Sequence, residues 1–150
     1  MPAMDTVACY CSNLRRAALA LTSLYDAALA PHGIRVTQYS LLCAVKRHGE
    51  ANLTELSQAT GLDRSTLGRN LRVLETQGLV SLSPGDDQRD RVVALTELGG
   101  ARIRGAARDW GRVQDSLSRA LGAEGDRLLA TARRVTEVAL GASRRQTEAP

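Results

Sequence analysis

A chain of 150 residues suits one domain that buries roughly two-thirds of the surface its unfolded form exposes, so no second fold needs to be sought. With no Phe and a single Trp, the core must rest on Leu, Val and Ala, which excludes an aromatic-rich sheet and favours packed helices. The formal charge of +4 is mild, and between Leu53 and Leu95 five Arg stand against six acids, so any binding to nucleic acid must be argued from local placement and not from net basicity.

At the N-terminus, Cys9 and Cys11 stand in ACYCSN just ahead of a first helix that Ser12 or Asn13 can cap. At least one thiol therefore lies near helix amides and near Arg15 and Arg16, which favour a thiolate. The pair is too close in sequence for an ordinary intrachain disulfide. It reads either as arm residues at an interface or as a candidate thiol sensor or soft-metal site. Arg15 and Arg16 precede AALALTSL and then ALA at Ala28 to Ala30, which imitates a secretory signal. Asp26 and Thr22 interrupt that run, while Leu14, Ala18, Leu21, Tyr25 and Ala28 keep the spacing of an amphipathic seam, so the stretch is read as a helix. No run is apolar enough to span a membrane, and the chain is read as cytoplasmic.

Pro31 and Gly33 close this helix, and Thr37 can cap a second one that runs to about His48 with Leu41, Leu42 and Val45 inward. Cys43 reads as a small buried hydrophobe. His32 and His48 each sit at a helix end beside a glycine, with no acid or second histidine at ligand spacing, so both read as capping or solvated groups.

Thr54 then caps a short helix with Leu56 and Ala59 inward, and Gly61 supplies a left-handed stop. Asp63 caps a second short helix in which Leu67, Leu71 and Leu74 share a buried stripe. The opposite face carries Arg64, Ser65, Gly68, Arg69 and Arg72, with Thr66 and Asn70 on its flanks. Arg pairs with guanine through two hydrogen bonds, Asn does so with adenine, and Ser and Thr serve either, so this face suits base edges in a major groove. Gly78 ends the helix. Leu79 to Ser83 and Arg91 to Leu95 follow as two strands around a charged loop, a wing whose Arg89 and Arg91 suit a narrow minor groove. A solvated hairpin is the plainer reading of a lone wing, but not of one joined to a two-helix unit with an Arg-bearing face.

Thr96 can cap a long helix in which Ile103, Ala106, Trp110, Val113, Leu117 and Ala120 keep three-four spacing. Gly122 breaks it, and a last helix from about Glu124 carries Leu128, Ala132, Val135 and Ala139 before SRRQTEAP, a tail expected to be disordered. Such helices need partners, which the first helix and a second copy of the chain supply.

These residues resemble the MarR family of bacterial transcriptional regulators, in which a wing motif of the form D-x-R followed by strand residues and L-T recurs, here Asp87, Arg89, Leu95 and Thr96. The likeness covers nearly the whole chain, since LRRAALALTSLYDAALAPHGIRVTQYSLL is similar to the family's first two helices. The resemblance implies one mainly α domain over 1–150 with a small β-wing: a winged helix-turn-helix over 37–96, and dimerisation helices over 12–36 and 97–145. It further implies a homodimer on double-stranded DNA with a pseudo-palindromic operator, a repressor released by a small ligand or by thiol or metal chemistry, with no cofactor required. A family cleft between the winged unit and the dimer helices makes Arg16, Tyr39 and Trp110 candidate effector-pocket residues, although core packing accounts equally for Tyr39 and Trp110. Gly68 departs from the family, whose members more often carry a larger residue there. A mid-helix glycine costs roughly 1 kcal/mol against alanine, and close approach of a backbone or local fraying are its two readings.

No nucleophile stands with a His base, no carboxylates pair in an apolar context, and GDDQRD lacks the spacing and closing Glu of a calcium loop, so an enzyme is not expected. The remaining alternative is a winged-helix module that binds protein, but such a surface carries aromatic and aliphatic anchors where this one carries Arg, Ser and Thr.

Overall fold

The computed structural model describes residues 9–87 and 90–147. In chain order it contains α1 (Tyr10–Leu29), a 3₁₀ turn (Ala30–His32), α2 (Val36–His48), β1 (Glu50–Asn52), α3 (Leu53–Thr60), α4 (Arg64–Thr76), β2 (Val80–Pro84), β3 (Arg91–Leu95), α5 (Glu97–Leu121) and α6 (Ala123–Thr147). The chain divides into two compact units, one ending at Gly111 and the other beginning at Arg112. The mainly helical fold with a small wing agrees with the sequence expectation.

The helix starts lie elsewhere than local pattern suggests, and each difference has a hydrogen-bond reason. α1 begins at Tyr10 with Cys9 as its N-cap, because the Asn13 amide already donates to the Cys9 carbonyl at 3.1 Å; neither Ser12 nor Asn13 caps it. α2 begins at Val36, ahead of Thr37. Its first orphan amides are met by side chains: the Val36 N–H donates to Asp26 Oδ1 at 2.7 Å and the Arg35 N–H to Gln38 Oε1 at 2.9 Å. α3 is capped by Asn52 and not by Thr54. The Glu55 N–H donates to Asn52 Oδ1 at 2.8 Å while Glu55 Oε2 accepts from the Asn52 N–H at 2.9 Å, a reciprocal capping box.

The sheet is three-stranded and antiparallel in the order β1, β3, β2, with Ala51 opposite Val93 and Leu82 also opposite Val93. Two strands were expected; β1 adds a third. It is three residues long and becomes a strand only through its pairing with β3. β2 also starts one residue later than expected, at Val80.

The core of the first unit gathers Leu29, Leu41, Leu42, Val45, Leu56, Leu67, Leu71, Leu74, Leu79 and Val93, all fully buried, with Ile103 and Ala106 of α5. Fully burying one such side chain is worth roughly 1.5 to 3 kcal/mol, so this aliphatic set is the main apolar contribution to holding the winged unit together. Ala59, expected inward, is exposed, because α3 is only two turns long and turns a single residue, Leu56, fully into the core.

The expected seam of α1 is largely open. Leu14, Ala18 and Leu21 are exposed, and only Tyr25 and Ala28 are half-buried. Along α5, Ile103, Ala106 and Val113 are buried, Trp110 and Leu117 half-buried and Ala120 exposed. In α6, Leu128 and Ala139 are exposed while Ala132 and Val135 are half-buried. α6 continues to Thr147, so Ser143, Arg144 and Arg145 are helical and not part of a disordered tail. Arg144 and Arg145 sit in its last turn, where positive charge complements the helix dipole.

Candidate nucleic-acid interface

The outward face of α4 is built from its own cap and from the turn before it. Asp63 accepts the Thr66 N–H at 2.9 Å and the Thr66 hydroxyl at 2.7 Å, and these two bonds hold its carboxyl below the ordinary carboxylate range. Gly61 takes φ +71°, the left-handed conformation that lets α3 stop and the chain turn. The Ser57 hydroxyl donates to the Leu62 carbonyl at 2.6 Å, and the Thr60 hydroxyl donates to the Leu56 carbonyl at 2.6 Å while accepting the Leu62 N–H at 3.4 Å. Ser57 and Thr60 were not singled out from sequence, because a hydroxyl that ties off a turn has no periodic signature. At the far end of α4, the Gly78 N–H donates to the Glu75 carbonyl and the Leu79 N–H to the Leu74 carbonyl, a Schellman closure.

Between these fixed ends, Leu67, Leu71 and Leu74 are fully buried, and Arg64, Ser65, Arg69 and Arg72 are exposed. Thr66 and Asn70 are half-buried on the flank. Thr66 is bound to the cap, and Asn70 Nδ2 donates to the Thr66 carbonyl at 3.0 Å, so both are held by the helix itself. The arrangement can place rigid guanidinium and hydroxyl donors against base edges and phosphates.

The wing is closed by the Gly85 N–H donating to the Asp90 carbonyl at 2.7 Å and the Asp90 N–H donating to the Asp87 carbonyl at 2.8 Å. Arg91 is exposed where β3 begins, opposite Pro84. Arg89 lies outside the described residues. The base of the wing is fastened by Thr96, whose hydroxyl donates to the Gly78 carbonyl at 2.6 Å and accepts the Gly99 N–H at 3.0 Å, capping α5 and tying it to the end of α4. Gly99 was missed by the sequence reading. A Cβ there would stand 2.1 Å from the Leu79 carbonyl oxygen, so the first turn of α5 packs directly on the backbone that leads into the wing.

Two of the three candidate effector residues come together. The Tyr39 and Trp110 rings stack with centroids 5.8 Å apart, and Tyr25, which the sequence did not nominate for this role, stacks on Trp110 at 6.4 Å. Three of the chain's four aromatic residues thus share one stack. Burial pushes both tyrosine hydroxyls above their ordinary pKa, so they are neutral donors near pH 7. Arg16 is exposed on α1, roughly 13 Å along the helix axis from Tyr25, and does not join the stack. A cavity of about 640 Å³ beside α1 is lined instead by Ser23, Asp26, Arg35, Gln38 and Gln77, among others.

Cys9 is half-buried and Cys11 exposed. Bonds from the Ser12 hydroxyl and amide, helped by the Cys11 amide and the charge of Arg15, lower the Cys9 thiol's pKa, while Arg15 Nη2 donates to Cys11 Sγ at 3.5 Å. Burial pushes the half-buried Cys43 thiol up. His32, expected to cap or to face solvent, instead pairs with Asp109 of α5 at 2.8 Å, while its carbonyl accepts from Arg102 Nη1 at 2.7 Å. His48 is exposed. Among the described residues no group of three or more His, Cys, Asp or Glu could hold a metal ion, and no helix is long and apolar enough to cross a membrane.

The comparisons with known proteins converge on this geometry. A family model described as the MarR family matches residues 32–90. The chain is 33% identical over 91 residues to the transcriptional repressor NicR of Pseudomonas putida, an alignment that takes in 60% of this chain and 58% of that protein. It is similar to the Mycobacterium tuberculosis transcriptional regulator MosR in complex with DNA, with 34% identity, a TM-score of 0.78 and coverage of 87% of this chain and 98% of that one. The transcriptional repressor CouR bound to a DNA duplex shares 25% identity and a TM-score of 0.77, over 91% of this chain and 99% of that one. From the pinned α3–α4 pair, the wing behind it and these likenesses, the chain belongs to the MarR family of winged helix-turn-helix transcriptional regulators.

Proposed function

We propose that this protein is a cytoplasmic homodimeric repressor that binds a pseudo-palindromic operator in double-stranded DNA. The observation that carries the reading is the two-sidedness of α4: a fully buried leucine stripe backs an exposed row of Arg64, Ser65, Arg69 and Arg72, fixed at both ends by caps. A protein-binding helix would show large apolar anchors there, and on this helix Val73 is the single large hydrophobic residue left exposed. Arg69, Ser65 and the flanking Thr66 and Asn70 are assigned to base edges, and Arg64, Arg72, Arg91 and Arg89 to phosphates or the minor groove. The Tyr25–Trp110–Tyr39 stack is assigned as the effector site for a flat organic ligand, and Cys9 with Cys11 as the alternative, thiol-based release point.

Binding to a duplex selected by the protein from a random-sequence library tests the reading. Affinity should fall steeply and linearly with the logarithm of salt, as counterion release requires. Arg69→Ala should cost roughly 1 to 3 kcal/mol and blur preference at one base position. An unselected pool after repeated rounds, or equal affinity for every duplex in wild type and variant, would remove the reading.

A further inference from the structure

Gly68 is a glycine that the fold does not require. It sits in the interior of α4 and is absent from the glycines with positive φ, so its backbone is one any residue could adopt. Among the described residues a Cβ built there meets nothing within 4 Å, in contrast to Gly99, where the same atom would strike the Leu79 carbonyl. Gly111 of α5 is also open, but lies outside the winged unit. Glycine is among the poorest residues for a helix interior, so alanine at position 68 would strengthen the helix at no steric cost within the chain. The position is half-exposed and shares a side of α4 with Arg64, Ser65 and Arg72, three and four residues away, on the flank that turns from the buried leucines toward the outward row.

We propose that Gly68 is a positioning residue for DNA: its bare Cα lets the wall of the major groove come close to the helix backbone, so that α4 seats deep enough for Ser65 and Arg69 to reach base edges. The inference rests on the DNA-binding reading above. The helix gives up intrinsic stability at a point where no described part of the chain lies close enough to require a glycine, and the flank of a helix lying in a groove is where the sugar-phosphate strands pass. A methyl group at 68 would hold the helix outward. Base contacts, which are short and directional, would weaken before phosphate contacts made by long arginines.

The test is Gly68→Ala and Gly68→Leu, with two readouts on the intact protein. Thermal melting should rise for Gly68→Ala by about 3 °C, the shift a helix-interior Gly to Ala change gives in a chain of this size. Affinity for the duplex selected by the wild-type protein should fall at least tenfold for Gly68→Ala and further for Gly68→Leu. Affinity for a scrambled duplex of the same composition should stay within twofold, so the specificity ratio collapses while the protein becomes more stable. If both variants keep the wild-type ratio within twofold, the inference is overturned and Gly68 is only a weak point in the helix. If Gly68→Ala lowers the melting temperature, the open surroundings claimed for it are wrong and the inference falls on that ground. If the wild-type protein itself does not discriminate the two duplexes, the DNA-binding reading fails and takes this inference with it.

Discussion

Gly99 and Thr96 show how single residues in this chain set the position of a whole element. Gly99 is the contact between the start of α5 and the Leu79 carbonyl, and Gly99→Ala must move one of the two backbones. A cost of roughly 1 to 3 kcal/mol, the usual range for overpacking, should appear as a lower midpoint in urea with an unchanged slope. A variant as stable as wild type would show that the contact yields freely. The thiols separate by environment in the same residue-by-residue way. Cys9, lowered chiefly by its bonds from Ser12, should alkylate with a pH inflection below that of Cys43, whose pKa burial raises. Peptide mapping of iodoacetamide adducts across pH measures both; coincident inflections would contradict the assignment. Replacing Cys9 and Cys11 together by Ser should abolish release from DNA by arsenite, copper or peroxide if these thiols are the release point. Release that persists unchanged would leave the aromatic stack as the site to pursue, where quenching of Trp110, the only Trp, reports binding directly.

At the scale of elements, the stability of the helix-turn-helix rests on caps. Asn52→Ala removes one side of the α3 capping box and should cost about 1 kcal/mol. The Asp63 cap adds a pH dependence of known sign. Its folded pKa is depressed below the unfolded value, so its contribution is present above the unfolded pKa near 4 and is lost as pH falls through the folded value. Asp63→Asn should keep the capping geometry and flatten that acid limb of the stability profile. Much of this was legible in the chain: the Leu67, Leu71, Leu74 period, Asp63 before it, Gly61 and Gly78 around it, and the cap that Thr96 gives α5 through Gly99 all act through neighbours a few residues away, whereas the tie from Thr96 to the Gly78 carbonyl does not. The features that escaped depend on partners distant in sequence or on space. Asp26 caps α2 from ten residues back, His32 meets Asp109 seventy-seven residues on, and β1 exists only because β3 lies beside it. The Asn52 and Glu55 box was in plain view as N-x-x-E, but Thr54 competed for the same role and only the backbone register decides between them. The candidate site divided likewise. The exposed row of α4 follows from periodicity, whereas Tyr25 joins Trp110 through packing that no local pattern records.

For the molecule as a whole, the apolar residues left in water are concentrated. Leu14, Leu19, Leu21 and Leu24 of α1 are exposed, as are Leu121, Leu128, Leu129, Val138 and Leu140 around and within α6. Scattered exposed leucines are ordinary, but rows along whole helices mark surfaces that a partner covers, and two-fold pairing of identical chains is the simplest cover. Sedimentation equilibrium at low micromolar concentration should therefore give twice the 16.1 kDa chain mass, and Leu21→Asp should shift the protein toward unfolded or aggregated species. A folded monomer at that concentration would contradict the homodimer. A dimer also sets what the DNA must look like, because two copies of α4 related by a two-fold axis enter successive major grooves about 34 to 36 Å apart. Hydroxyl-radical and methylation-interference footprinting on the selected duplex measures this most directly. The account predicts two equivalent half-sites with protected major-groove guanines about one turn apart, and with Arg69→Ala the loss of interference at the same base in each half. A single protected patch, half-sites at unrelated spacing, or an Arg69→Ala pattern identical to wild type would contradict it.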